Sequence, residues 1–115
     1  MSEIPAPTFH EQARLDWLEN RLAAAPGSRH RDAAGNLIWR FDASPPRVVV
    51  TAHVDTVFAA DVPLTVRRRD GRLHGPGVGD NSAAIATVIG VLEELADEGG
   101  VDLNSAVVAF TVGEE

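Results

Sequence analysis

The sequence contains no cysteine, which excludes both disulfide bonds and thiolate metal sites. Any metal ion would therefore have to be held by imidazole and carboxylate groups. Long hydrophobic runs are also absent, since the apolar stretches fall far short of the ~20 residues that span a bilayer. Residues 1–5 carry neither a basic patch nor an apolar run typical of a targeting signal. We expect a cytoplasmic protein.

Positive charge is scarce, with 10 basic against 17 acidic residues and a formal net charge of −7. Such a surface repels nucleic acids and anionic membranes, so neither is expected as a partner. Basic residues cluster only at Arg67-Arg68-Arg69, which we interpret as a solvated strand. The length of 115 residues and the hydrophobic content of 44% are typical of one globular domain.

Two helices are predicted from the spacing of apolar residues. The first begins at a capping box formed by Thr8 and Glu11, carries Leu15, Leu18 and Leu22, and ends before Pro26-Gly27. The second covers about residues 82–98, with its first half buried and its second half solvated. Gly99-Gly100 is the expected end of this helix.

Runs of β-branched and aromatic residues predict strands at 37–41, 48–52 and 106–112. Asp70-Gly71 predicts a tight hairpin between 64–69 and 72–74. The strands at 48–52 and 106–112 are continuously apolar, which is typical of strands buried on both faces of a parallel sheet. The predicted fold class is therefore α/β, with a mixed, largely parallel sheet and helices on its faces.

Polar residues follow the strand at 48–52, at the carboxyl edge where open α/β sheets bind ligands. His53 and Asp55 are two residues apart in extended chain, so their side chains point to the same side. A carboxylate in that position can orient an imidazole whose other nitrogen binds a metal. The alternative is a structural pair.

Asp80 follows the glycine-rich segment Gly75-Pro76-Gly77-Val78-Gly79 and precedes the second helix. Its carboxylate could cap that helix or bridge two cations. A dinucleotide loop is not expected, because Asp80 occupies the place of the third glycine and would lie against the phosphates.

Glu114 and Glu115 follow the second apolar strand. One carboxylate could bind a metal while its neighbour, pointing differently, accepts a proton from a metal-activated water. The alternative is a solvated chain end.

Three segments, 51–57, 75–82 and 112–115, together resemble the N-terminal part of the M20 family of co-catalytic zinc peptidases. This family includes aminoacylases, di- and tripeptidases and glutamate carboxypeptidases. The resemblance implies a three-layer, zinc-peptidase-like fold with helices on both faces of the sheet. It implies that His53 ligates one zinc, Asp55 orients His53, Asp80 bridges two zincs, Glu114 is the catalytic base and Glu115 ligates the second zinc.

Where the family often has a lysine two positions after the bridging aspartate, this chain has Ser82, which bears on substrate choice. The resemblance also implies that residues 1–115 are the N-terminal part of a catalytic domain, without its lid and dimerisation domain and its C-terminal part. Each zinc would then keep two protein ligands instead of three, so weak binding is expected. Manganese and cobalt use similar ligands.

The leading hypothesis is a metal-dependent hydrolase that cleaves an amide bond in small peptides or N-acyl amino acids, with the isolated chain inactive. A second hypothesis is a catalytically inactive fragment that binds a metal or a partner. The strand at 106–112 is expected to form an exposed sheet edge that could pair with another copy of the chain. A third is a structural domain in which His53, Asp55 and Asp80 are satisfied by the backbone.

Overall fold

The computed structural model describes residues 1–98 and 103–115. Helix α1 is Gln12–Arg21 and helix α2 is Ala84–Glu98. A π-type turn at Val78–Ala83 leads into α2, and a short 3₁₀ turn lies at Leu103–Ser105. The strands are β1 (Ser28–Arg31), β2 (Leu37–Arg40), β3 (Val48–His53), β4 (Arg67–Arg69), β5 (Arg72–His74) and β6 (Ala106–Thr111).

Four strands form one sheet in the order β1-β2-β6-β3. Strand β3 runs parallel to β6, whereas the β1/β2 and β2/β6 pairs are antiparallel. The remaining strands form the separate β4/β5 hairpin, whose turn has positive φ angles at Asp70 and Gly71. The predicted α/β class with a mixed sheet is confirmed, and so is this hairpin.

The hydrophobic core lies between one face of the sheet and the helices. Leu37, Ala52 and Phe110 lie side by side across three strands and are buried. Both helices contribute to the same core through residues spaced three or four apart, namely Leu15, Leu18, Ile85, Ile89 and Leu92. On the opposite face of β3, the Val49 side chain is 58% exposed.

The predicted sheet edge at 106–112 is wrong, because β6 lies inside the sheet between β2 and β3. Strand β2 precedes β6 in the chain and pairs with it in antiparallel orientation on the side opposite β3. Among the described residues the sheet ends at β1 on one side and at β3 on the other. Strand β1 was not predicted, because its sequence Ser-Arg-His-Arg has no apolar residue.

The predicted capping box at Thr8 and Glu11 is also wrong. Glu11 is itself the N-cap residue of α1, without a side-chain capping bond, and its carboxylate contacts residues outside the helix. In the first half of α2 only one face is buried, because Ala86 and Thr87 are exposed. The expected end of this helix at Gly99-Gly100 lies outside the described residues. Within the described range, neither helix is long and apolar enough to cross a membrane.

Candidate metal centre

The site forms where β3 and β6 end side by side. His53 is the last residue of β3 and lies opposite Thr111 of β6, and the amide of Val54 donates a hydrogen bond of 2.8 Å to the Thr111 carbonyl. Because the two strands are parallel, the segments that follow them leave the sheet at the same edge. This arrangement brings Asp55 next to residues 113–115.

His53 lies between three carboxylates. Its Nε2 atom is 2.8 Å from Oδ1 of Asp80, and its Nδ1 atom is 3.4 Å from Oδ1 of Asp55. Glu114 approaches the same Nδ1 atom with Oε2 at 3.8 Å. The two ring nitrogens therefore face different acids, as expected if Asp55 orients the ring and the Nε2 side is left for an ion.

The charges around His53 change its pKa. Burial lowers the pKa of the imidazole, but the hydrogen bond to Asp80 and the negative charges of Glu114, Asp80 and Asp55 outweigh burial and raise it above 6.5. The same carboxylates would stabilise a cation bound beside His53.

Asp55 is fully buried. Its Oδ2 atom accepts a hydrogen bond of 2.9 Å from the backbone amide of Glu115. The facing atoms Asp55 Oδ1 and His53 Nδ1 are both buried and make no standard hydrogen bond within the described residues. A proton on Nδ1 would point toward this carboxylate, which leaves the lone pair of Nε2 for a metal.

Asp80 is positioned by the irregular turn before α2. The backbone angles of Asp80 and Asn81 are not helical, and the peptide bond between them is cis. Gly77 begins this turn with a φ of +65°, and a Cβ atom there would lie 3.1 Å from Cγ2 of Thr56. The turn thus requires glycine at this position, both for its left-handed conformation and for its close packing.

The donor set fits a divalent metal. One ligand atom each from His53, Glu114 and Glu115 lie within 4.8 Å of one another. Two ligand atoms on one tetrahedral zinc are ~3.3 Å apart, so the 2.8 Å contact between His53 and Asp80 needs only a small opening to admit an ion. Imidazole with carboxylates suits zinc and related ions. The structure therefore places Asp55, Asp80 and Glu114 around His53 and groups Glu115 with His53 and Glu114. Asp80 is not part of that group, because it contacts His53 through the other ring nitrogen.

Two buried charged residues near the site were missed from the sequence. Arg14 is fully buried, and its Nη1 atom donates a hydrogen bond of 2.9 Å to the Val54 carbonyl. Glu11 is almost fully buried and accepts a hydrogen bond of 3.0 Å from the Gly113 amide. One signal was available, because Arg14 precedes Leu18 by four residues and thus lies on the apolar face of its helix.

The chain matches one protein family in sequence and two peptidases of known structure in fold. The model of peptidase family M20/M25/M40 matches residues 49–115. The fold is similar to the crystal structure of a tripeptidase from Staphylococcus aureus, with a TM-score of 0.79 and 23% identity over 98% of this chain. It is also similar to an aminoacylhistidine dipeptidase from Vibrio alginolyticus, with a TM-score of 0.70 and 22% identity over 99% of this chain. The chain spans 34% and 26% of the lengths of these two proteins.

Proposed function

Because the chain belongs to peptidase family M20/M25/M40, we propose that it provides half of the active site of a metal-dependent hydrolase. The substrate is a small peptide or an N-acyl amino acid, and the bond cleaved is an amide. The observation that carries this proposal is the imidazole of His53, held between Asp55 and Asp80 with Glu114 beside it. The names of the two similar structures, a tripeptidase and a dipeptidase, support the substrate class.

We assign the metal ligands as follows. His53 and Asp80 would hold one zinc ion, and Asp80 and Glu115 would hold a second, with manganese or cobalt as alternatives. When bound, the ions supply Lewis-acid activation of the attacking water and of the amide carbonyl. Asp55 keeps the His53 ring oriented from the Nδ1 side, where the two side chains are 3.4 Å apart.

Glu114 is the general base of the proposed reaction. Its side chain is 60% exposed, so a substrate can reach it, and it lies beside His53. Glu114 accepts a proton from the attacking water while the water oxygen bonds to the amide carbon. It then returns the proton to the amide nitrogen as the carbon–nitrogen bond breaks. The products are a carboxylic acid, which keeps the second proton of the water, and an amine.

We further propose that residues 1–115 are the N-terminal part of a catalytic domain whose lid, dimerisation domain and C-terminal part lie elsewhere. This proposal is supported by the small fraction of the length of each similar structure that the chain spans. On this proposal the chain by itself is inactive. We also propose a cytoplasmic location, which was predicted from the cysteine-free composition.

A second candidate function is a partner-binding module without activity. The observation that favours it is β3, which ends the described sheet and carries the exposed Val48 and Val49. An open edge strand can pair with a second copy of the chain. Sedimentation velocity over a concentration series tests this idea with Val49→Lys, and with Val91→Lys on α2 as the control. Self-association that Val49→Lys abolishes and Val91→Lys preserves would support it, and a monomer at all concentrations would not.

The proposed metal site is tested by titrating the chain with zinc in a calorimeter, in parallel with Asp80→Ala. Asp80 is the ligand that both ions share, so its loss should reduce the affinity and the number of ions bound. Asp61→Ala, an exposed acid in the loop after β3, is the matched control. Equal zinc binding by the chain and by Asp80→Ala would contradict the assignment.

A further inference from the structure

The segment before the family match at 49–115 contains two buried charged side chains. Glu11 and Arg14 are three residues apart, one at the N-cap and one in the first turn of α1. Each of them contacts backbone outside the helix that is distant in sequence. Buried charges remain in a fold only where they are paired and hydrogen-bonded.

Arg14 holds the turn that follows β3. Its guanidinium donates hydrogen bonds of 2.8 Å to the Ile4 carbonyl, 2.9 Å to the Val54 carbonyl and 3.3 Å to the Ser2 carbonyl. Val54 lies between His53, the proposed ligand, and Asp55, its proposed orienting acid. The bond from Arg14 to the Val54 carbonyl therefore holds the backbone that joins these two residues. Burial lowers the pKa of Arg14, and the negative charge of Asp55 offsets part of this decrease.

Glu11 holds the turn that follows β6. Its Oε1 atom accepts one hydrogen bond of 2.9 Å from the Phe9 amide and another of 3.0 Å from the Gly113 amide. Gly113 directly precedes Glu114 and has a φ of +68°, and a Cβ atom on it would lie 3.0 Å from the Phe9 ring. Glu11 thus fixes the start of the segment that carries the proposed base.

We propose that Glu11 and Arg14 are positioning residues for two turns of the metal centre. Arg14 positions residues 53–55, the His53 turn, and Glu11 positions residues 113–115, the Glu114 turn. The proposal rests on the proposed function for its consequence in metal binding. Its structural part stands independently. Both side chains project from one end of α1, so one helix contacts both turns.

Hydrogen exchange of backbone amides in the metal-free chain tests the structural part. In Glu11→Ala the Gly113 amide should exchange at least tenfold faster, and Glu11→Gln should recover most of the protection because its amide oxygen can still accept. In Arg14→Lys the Glu115 amide, which donates to Asp55, should exchange at least tenfold faster. One ammonium group cannot reach all three carbonyls that Arg14 contacts.

Two control variants separate positioning from general stability. Ile89→Val weakens the hydrophobic core from α2, and Arg21→Lys alters the exposed ion pair between Arg21 of α1 and Glu93 of α2. Neither should speed exchange at Gly113 or Glu115 relative to core amides. Equal acceleration in Ile89→Val, or unchanged exchange in Glu11→Ala, would overturn the proposal. If Arg14→Lys does not fold, the Glu11 variants decide it alone.

Zinc affinity tests the functional part. Glu11→Ala and Arg14→Lys should bind zinc at least fivefold more weakly than the unaltered chain, while Ile89→Val and Arg21→Lys stay within twofold. Unchanged affinity in variants whose turns exchange faster would overturn the positioning role. Absence of zinc binding in the unaltered chain would count against the proposed function instead, and the exchange rates would still decide whether the two residues hold the turns.

Discussion

The buried carboxylate of Asp55 accepts a hydrogen bond of 2.9 Å from the backbone amide of Glu115, 60 residues further along the chain. The same carboxylate faces Nδ1 of His53 with its other oxygen. One side chain therefore connects the two turns that carry the proposed metal ligands. Besides its proposed role in orienting His53, Asp55 therefore holds the backbone of the second turn.

Asp55→Asn should weaken zinc binding by about 10- to 100-fold, the usual effect of losing an acid that orients a ligating histidine. The amide group keeps the size of the side chain but loses its charge, and its NH₂ end would oppose either His53 or the Glu115 amide. Calorimetric titration of the chain measures the change, with Asp61→Asn as an exposed control. Affinity equal to that of the unaltered chain would show that Asp55 has no role in orienting His53.

The raised pKa of His53 predicts how the stability of the metal-free chain depends on pH. The folded state binds the proton more tightly than the unfolded state, so protonated His53 contributes stability below pH 6.5. This contribution should be lost as the pH rises through the higher folded pKa. Urea unfolding at a series of pH values measures the loss, and NMR titration of the His53 ring measures the pKa directly.

Asp80→Asn is the control for this pH effect, because Asp80 supplies both a hydrogen bond and a charge that raise the His53 pKa. In the variant the pKa of His53 should fall, and the decrease in stability above pH 6.5 should become smaller. A His53 pKa that stays the same in Asp80→Asn would contradict the contact between their side chains.

Much of the site follows from the sequence because two apolar strands end at the same edge. Val48–His53 and Ala106–Thr111 are parallel neighbours, so the polar residues that follow them meet as predicted. The hairpin at Asp70-Gly71 follows equally well from local turn chemistry. Strand order does not, because the pairing of β2 with β6 depends on residues about 70 positions apart.

The roles of Glu11 and Arg14 could not be predicted for the same reason. The hydrogen bond from Gly113 to Glu11 joins residues 102 positions apart, and local spacing made Glu11 look like a helix cap. A spacing rule describes only neighbours within a few residues. Buried polar contacts of this kind depend on the complete fold.

Gly77→Ala should destabilise the chain by ~1–2 kcal/mol, the cost of a left-handed conformation for a residue with a Cβ atom. The φ of Gly77 is +65°, and the added atom would also press on Thr56. Gly79→Ala is the matched control two residues later, since an added Cβ atom there meets no heavy atom within 4 Å. Urea unfolding compares the two variants, and an equal loss of stability in both would show that Gly77 is not specially required.

Glu114→Gln separates the two roles that the geometry allows for this residue. As the general base, Glu114 should be needed for turnover but not for metal binding, so a peptidase that contains this segment should lose activity by about 100-fold or more. Its zinc content, measured by elemental analysis, should stay the same. Because Glu114 also lies within reach of an ion together with His53 and Glu115, loss of zinc along with activity would instead assign Glu114 as a ligand. Glu115→Gln is the matched comparison, and it should lose zinc if Glu115 is a ligand.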